Sequence, residues 1–325
     1  MRAPGSPPAK RRSDASGISR VTNTRCGSST TAHSIVRTAA RLAMIGRAGG
    51  PGMDDLSGRV AVVTGGASGI GAGIARACAE QGMRVVLADV ELAPAQKLAR
   101  ELEAAGTPAI AVRSDVTLPG DLEALADAAF ECFGTADVLF NNAGVAQGGA
   151  IHEFRNDDWD WLLGVNLYGV VNGCRAFVPR WLARGESAHV VNTASVGGFL
   201  SGPVLGMYST TKFAVVAYSE SLAQELAARG IGVSVLCPGW TNTNLGAASR
   251  NRPVALGSAP DRLDIITPGM AEGMDPIDVG RHALRGVREN ALYVFTHPEF
   301  QPLIEDRFAK VVAALERAKE PVKAG

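Results

Sequence analysis

Short, nearly continuous apolar runs alternate with longer amphipathic stretches from Arg59 to the end of the chain. The runs are rich in β-branched side chains and lack the alternation of a half-exposed strand, which is typical of strands buried on both faces of a sheet. They predict seven strands, at Val60–Thr64, Arg84–Asp89, Ala109–Ser114, Val138–Asn141, His189–Thr193, Gly232–Cys237 and Leu292–Thr296.

The stretches between the runs have helical periodicity, and most of them end at a glycine, which readily adopts the left-handed conformation after a helix. Strand–helix alternation predicts an α/β fold with a doubly wound parallel sheet of about seven strands, helices on both faces, and a single domain over residues 53–325. Such sheets bind ligands beyond the carboxyl ends of their strands, so the loops there are expected to carry the chemistry. The predicted helices are Ala72–Gln81, Ala93–Ala105, Asp121–Phe133, Asp157–Leu182, Tyr208–Ala228 and an amphipathic terminal helix at Glu299–Ala318.

A glycine-rich segment, residues 64–71, joins the first predicted strand to the first predicted helix. Its glycines permit a tight turn and let a pyrophosphate approach a helix N-terminus, whose free amides and dipole favour anions. Glycine-rich loops are common, so the position between a strand and a helix is what makes this one specific. It predicts a dinucleotide site at Gly65, Ser68, Gly69, Ile70 and Gly71.

Asp89 ends the second predicted strand, where a carboxylate accepts hydrogen bonds from the adenosine ribose and repels a 2′-phosphate. Residues 66–68 and 90–91 contain no Arg or Lys that would bind such a phosphate. The sequence therefore favours NAD over NADP. The alternative is that Asp89 only caps a turn.

Tyr208 and Lys212 stand four residues apart at the start of a predicted helix, on one face of it. A tyrosine with a pKa of about 10 is a poor acid or base at neutral pH, and a nearby ammonium group is expected to lower that pKa. This spacing often arises by chance. Ser195, just after the fifth predicted strand, adds a hydroxyl that would hold a substrate oxygen against Tyr208, which makes the pair a candidate for proton transfer.

Together these segments resemble the short-chain dehydrogenase/reductase family. The segments 64–71 and 141–144, Ser195, Tyr208 to Lys212 and Pro238–Gly239 occur in the family's order, and the likeness spans roughly residues 56–300. The resemblance implies a Rossmann-type oxidoreductase that transfers a hydride between NAD and a small-molecule secondary alcohol or ketone. It also implies a homodimer or homotetramer, with the terminal helix at a subunit interface.

The resemblance implies a tetrad of Asn166, Ser195, Tyr208 and Lys212. Lys212 would bind the nicotinamide ribose, Ser195 would orient the substrate oxygen and Tyr208 would exchange its proton. Asn166 would kink its helix and hold a relay water. Besides Tyr208 and Lys212, further cofactor contacts would be Asp115, Val116, Asn142, Ala143, Gly144, Pro238, Gly239, Thr241 and Thr243.

Three segments are expected to determine substrate specificity, namely Val145–Ile151, Val196–Met207 and Trp240–Thr267. The third is long, as is typical of an active-site lid. The apolar members of the second segment favour a hydrophobic or cyclic alcohol; they are Phe199, Leu200, Leu205 and Met207. Arg250 and Arg252 would either meet an acidic substrate group or lie exposed in solvent, and the second is favoured.

Charged residues are distributed unevenly along the chain. Residues 1–52 hold nine of its 32 basic residues and one of its 32 acidic ones, and they are interpreted as a disordered basic leader, an organelle transit peptide, or a misassigned start ahead of Met53. The remainder has eight more acidic than basic residues, which argues against nucleic acid as a partner. It also lacks an apolar run long enough for a membrane span.

The five scattered cysteines indicate a reducing compartment, taken as the cytoplasm with organelle import left open, and predict no metal site. His152, His189, His282 and His297 lack metal-ligand spacing, and Trp159, Trp161 and Trp181 are expected to pack in the core. Three alternatives stay open: a dinucleotide-sensing regulator without turnover, a scaffold subunit, and an NADP-dependent carbonyl reductase.

Overall fold

The structure, a computed structural model, describes residues 52–258, 262–265 and 267–319, so the predicted leader lies outside the described residues except for Gly52. Seven parallel strands form the sheet: β1 Val60–Thr64, β2 Arg84–Asp89, β3 Ala109–Arg113, β4 Val138–Asn141, β5 Ala188–Thr193, β6 Ile231–Cys237 and β7 Tyr293–Phe295. Their order is β3-β2-β1-β4-β5-β6-β7. The order reverses between β1 and β4, and a crevice opens at such a switch point.

Helices cover both faces of the sheet, as the alternating pattern predicts. They are α1 Gly69–Glu80, α2 Leu92–Ala104, α3 Pro119–Phe133, α4 Asn156–Leu163, α5 Gly169–Arg184, α6 Gly206–Leu226, α7 Thr267–Ala271, α8 Pro276–Glu289 and α9 Gln301–Arg317. Val60 and Val62 of β1 pack into one core with α3, α5 and α6. Ala61 and Val63 pack into a second core with α1, α2 and α8. Side chains alternate across a strand, so each strand contributes to both cores.

Helix α8 is absent from the sequence prediction, although its ends carry cap signals. Asp275 accepts a hydrogen bond from the Ile277 amide and Pro276 occupies the first turn, while Asn290 ends the helix in the left-handed conformation. The helix packs closely on α1, since a Cβ at Gly73 would lie 2.1 Å from the Pro276 carbonyl oxygen.

The predicted helix Asp157–Leu182 is divided in the structure. A π-helical turn, Gly164–Tyr168, separates α4 from α5, and such turns are frequent at functional sites. The predicted lid contains short 3₁₀ turns at Asn244–Asn251, Val254–Leu256 and Leu263–Ile265. Among the described helices, none combines the length and apolar character that crossing a membrane requires.

Candidate active site

A cleft of about 520 Å³ lies at the carboxyl ends of the strands. Every predicted site residue except Gly71 and Asn166 lines it, so loops that are far apart in the sequence converge there. The predicted residues along its wall are Gly65, Ser68, Gly69, Ile70, Asp89, Asp115, Val116, Asn142, Ala143, Gly144, Ser195, Tyr208, Lys212, Pro238, Gly239, Thr241 and Thr243.

The glycine-rich loop leads from β1 into α1 and packs closely against its own backbone. A Cβ at Gly71 would lie 2.0 Å from the Gly65 carbonyl oxygen, so only glycine fits behind the loop. The Asn142 side chain donates to the Thr64 carbonyl oxygen at 3.1 Å and fixes the loop after β4 against it. No side-chain cap is made at Ser68, which leaves the first amides of α1 to bind an anion.

Asp89 is only 9% exposed, and it both caps a turn and lines the cleft. Its carboxylate accepts hydrogen bonds from the amides of Ala67 and Glu91, each at 2.9 Å. Burial raises its pKa, against the lowering effect of these two hydrogen bonds. Each carboxylate oxygen keeps a second acceptor position, so the turn cap and a contact to a ribose hydroxyl are compatible.

The two lid arginines are held by carboxylates from two different parts of the fold. Arg250 donates to Glu91 at 2.9 Å, which connects the lid to the loop after β2. Arg252 is paired with Asp158 of α4 at 2.6 Å, and its side chain is 6% exposed. The expectation that the lid arginines are solvent-exposed is therefore wrong for Arg252, because burial against α4 was not visible in the sequence.

Tyr208, Lys212 and Ser195 lie together in the wall of the cleft. Lys212 is 3% exposed and donates from Nζ to the Thr193 carbonyl oxygen at 2.9 Å, with Nζ 5.6 Å from the centre of the Tyr208 ring. Ser195 Oγ accepts from the Gly197 amide at 3.0 Å. A Cβ at Gly197 would lie 3.4 Å from Ser195 Oγ and 3.6 Å from Tyr208 Cε1, so Gly197 lies next to both hydroxyl-bearing side chains.

The electrostatics of this group differ from the sequence expectation. Burial raises the pKa of Tyr208 to about 12, and a hydrogen bond with Ser195 only partly opposes it. Burial lowers the pKa of Lys212 to about 8. Desolvation disfavours both charged forms, so in the protein alone it outweighs the lowering of the Tyr208 pKa expected from Lys212. An additional positive charge beside the phenol would lower that pKa.

Asn166 lies behind the cleft wall, fully buried in the π-helical turn Gly164–Tyr168. Its side chain accepts from the Val145 amide at 2.8 Å and donates to the Val145 carbonyl oxygen at 2.9 Å. A Cβ at Gly144 would lie 3.5 Å from Asn166 Oδ1 and 3.6 Å from Lys212 Nζ. Asn166 therefore anchors the loop after β4 next to Lys212, while its parts in kinking the helix and in a proton relay stay predictions.

His297, which the sequence analysis set aside, contacts two residues of the cleft wall without lining the cleft itself. Its Nδ1 accepts from the Gly239 amide at 3.1 Å, and Nε2 lies 2.8 Å from the Trp240 carbonyl oxygen. Donation by Nε2 satisfies both contacts in one neutral tautomer. His297 thereby holds the loop after β6, but it belongs to no motif that could have revealed this.

The apolar wall of the cleft differs in part from the prediction. Leu200 and Leu205 line it, whereas Met207 is fully buried and Phe199 packs 5.2 Å from the Phe295 ring. Trp161, predicted only to pack, is 6% exposed and also lines the cleft. Further apolar lining comes from Val145, Ala146, Trp240, Leu245, Ala248 and Met270.

Within residues 52–258, 262–265 and 267–319, no group of three His, Cys, Asp or Glu side chains is placed to hold a metal ion. The buried Cys78, Cys174 and Cys237 are free thiols.

Comparisons with known proteins agree with this geometry. A family model described as short chain dehydrogenase matches residues 59–253. The C alpha-dehydrogenase of Sphingobium sp. strain SYK-6 is 37% identical over 269 residues, which cover 80% of this chain and 87% of that protein. The 1-deoxy-11-beta-hydroxypentalenate dehydrogenase of Streptomyces exfoliatus is 36% identical over 256 residues, or 78% of this chain and 88% of that protein.

A solved structure extends the likeness to three dimensions. The short-chain dehydrogenase/reductase of Burkholderia phymatum, in complex with NAD, has a TM-score of 0.78 and 38% identity, over 84% of this chain and 99% of that chain. Sequence, sheet order and cleft thus agree, and the chain belongs to the short-chain dehydrogenase family.

Proposed function

We propose that this chain, an oxidoreductase of CH–OH groups with a nicotinamide dinucleotide cofactor, uses NAD to interconvert a hydrophobic or cyclic secondary alcohol and its ketone. The observation that carries the proposal is the convergence of Tyr208, Lys212 and Ser195 beside the glycine-rich loop in one cleft. A regulator or scaffold that performs no chemistry would have no need of a buried lysine beside a buried phenol.

Each polar side chain has a chemical task in this proposal. Ser195 donates a hydrogen bond to the substrate oxygen and holds it against Tyr208. Tyr208 removes the hydroxyl proton when the alcohol is oxidised and returns it when the ketone is reduced. Lys212 binds the nicotinamide ribose. When bound, the nicotinamide supplies hydride acceptance and donation at C4.

The choice of NAD is supported by the charges at the adenosine end of the cleft. Asp89 places a carboxylate there, and the nearby lid cation, Arg250, is neutralised by Glu91. Arg250 is the feature that would favour NADP, because an unpaired guanidinium binds a phosphate well. The Burkholderia relative contains NAD.

An absorbance assay tests the proposal directly. A panel of secondary alcohols is incubated with the protein and either NAD or NADP, and formation of the reduced nicotinamide is followed by its absorbance. We expect turnover of at least one apolar alcohol, with NAD preferred. If the protein binds NAD but no alcohol or ketone is converted, the regulator is the better description.

The pH dependence of turnover follows from the pKa values at the site. Because the pKa of Tyr208 is raised to about 12, its phenolate fraction increases about tenfold per pH unit below that value, and kcat/KM for alcohol oxidation should rise from pH 6 towards pH 8. Lys212, with its pKa lowered to about 8, is half deprotonated near pH 8 and should flatten the upper part of the rise. Ketone reduction needs the phenol and should not increase. An oxidation optimum below pH 7 would contradict this assignment.

We also propose that residues 53–325 are the catalytic unit, cytoplasmic and assembled as a homodimer or homotetramer. One face of α9 exposes apolar side chains at helical spacing, as in a buried interface; they are Phe308, Val311, Val312 and Leu315. Light scattering on the purified protein should give at least twice the 33.7 kDa chain mass. A mass equal to one chain would reject the assembly.

A further inference from the structure

A second cavity, of about 310 Å³, adjoins the main cleft. Ala146, Trp161 and Pro253 line both spaces, so the cavity lies next to the part of the cleft with the apolar wall. Arg252 and Gln147 line the second cavity but not the first. A substrate whose alcohol lies at Tyr208 would place a second part of the molecule in this cavity.

Arg252 is built into the cavity wall rather than left in solvent. Its side chain is 6% exposed and lies 5.3 Å from the centre of the Trp161 ring. Its Nε donates to the Gly257 carbonyl oxygen at 2.9 Å, and its Nη2 donates to Asp158 at 2.6 Å. Backbone, carboxylate and indole together fix the orientation of the guanidinium.

One nitrogen of this guanidinium has no acceptor among the residues that the structure describes. Arg252 Nη1 is buried and makes no hydrogen bond within the described part of the chain. Buried donors are nearly always paired, because an unpaired one loses its hydration without compensation. Because Arg252 also lines the second cavity, its guanidinium is placed to take a ligand there as a partner.

The charges around the cavity favour an anion as this ligand. The Asp158 carboxylate is shared by Arg252 at 2.6 Å and Arg155 at 3.4 Å. Two guanidiniums therefore face one carboxylate, which leaves one positive charge beside the cavity. Guanidinium groups bind carboxylates through strong, directional hydrogen bonds.

We propose that Arg252 and this cavity form a subsite for a carboxylate at the far end of the substrate. The preferred substrates are then hydroxy acids or oxo acids, in which an apolar body separates the reacting carbon from the carboxylate. This inference rests on the proposed alcohol oxidation, and it names the substrate class. It gives Arg252 a substrate-binding role, whereas Arg155 only holds Asp158.

Fatty acids hydroxylated on the carbon next to the terminal methyl group provide the test. Their alcohol and carboxylate lie farther apart as the chain becomes longer. The probes are 7-hydroxyoctanoate, 9-hydroxydecanoate and 11-hydroxydodecanoate, each with its neutral methyl ester, and kcat/KM with NAD is measured for every acid and ester. We expect the acid to exceed its ester about tenfold or more at the best length, chiefly through a lower KM.

Variants separate ligand binding from lid structure. Arg252→Met should bring the ratio of acid to ester close to one, and Arg252→Lys should retain part of the preference. Arg155→Met is the matched control, because it removes the other ion-pair partner of Asp158 but leaves Arg252 Nη1 in place, and it should keep the preference. Should Arg252→Met fail to fold, the ratio of acid to ester in the wild type and in Arg252→Lys still tests the subsite.

The outcomes distinguish the two proposals. Equal rates for acid and ester at every length, with oxidation of both, would overturn the subsite and leave the proposed function standing. An equal loss of acid preference in Arg155→Met and Arg252→Met would assign both arginines to lid structure and also overturn it. If no alcohol of any kind is oxidised with NAD, the proposed function fails and the subsite fails with it.

Discussion

Replacing Tyr208 by phenylalanine is expected to lower turnover by roughly 10³-fold or more, while NAD still binds. Proton transfer by a positioned side chain contributes about 10²- to 10⁴-fold. Tyr208 supplies the hydroxyl beside Ser195 in the cleft, and phenylalanine keeps the ring and its packing. Steady-state kinetics measure the loss, and titration calorimetry with NAD measures the retained binding.

A matched variant separates this effect from a general disturbance of helix α6. Tyr218 lies on the same helix but not in the cleft wall, so Tyr218→Phe should turn over at close to the wild-type rate. Ser195→Ala should show an intermediate loss, because it removes the orienting hydroxyl but not the proton-transfer group. Near-normal turnover of Tyr208→Phe would show that another group moves the proton.

The second large effect is expected for Asp89→Ala. This substitution should lower the ratio of kcat/KM for NAD to kcat/KM for NADP about 100-fold. Two unit charges about 5 Å apart at an effective dielectric constant of about 20 repel by roughly 3 kcal/mol, which corresponds to about two powers of ten. The change is measured as the ratio of kcat/KM for NAD to that for NADP.

Asp89 also holds two backbone amides, so its replacement by alanine is expected to lower the melting temperature as well. Asp89→Asn removes the charge but keeps an acceptor oxygen and the side-chain volume, and it should shift the ratio with less loss of stability. Glu91→Gln frees Arg250 for a 2′-phosphate and should cause a smaller shift in the same direction. An unchanged ratio in both Asp89 variants would refute the role of this carboxylate.

The strands were predictable to within one or two residues because two-sided burial leaves an uninterrupted apolar run. The glycine-rich loop and the residues that follow the strands could be predicted equally well, since parallel strands bring their carboxyl ends together. What the sequence showed less well was the interruption in Asp157–Leu182, because helical periodicity does not reveal one π-helical turn.

The remaining differences come from tertiary contacts. Met207 belongs to an apolar segment, but its place in the first turn of α6 directs it into the core rather than the cleft. The raised pKa of Tyr208 comes from its burial, and Arg252 pairs with Asp158 of another element. The residues that neighbour them in the sequence reveal neither effect. His297 acts on a loop 58 residues away in the chain.

The central claim is that this chain moves a hydride between an alcohol carbon and the nicotinamide. The direct test uses an alcohol that the absorbance panel identifies as a substrate, deuterated at its carbinol carbon, with NAD as the oxidant. Mass spectrometry of the reduced cofactor should find one deuterium atom per molecule, together with a ketone that has lost it. Reduced cofactor without deuterium, or ketone formed without reduced cofactor, would contradict the account.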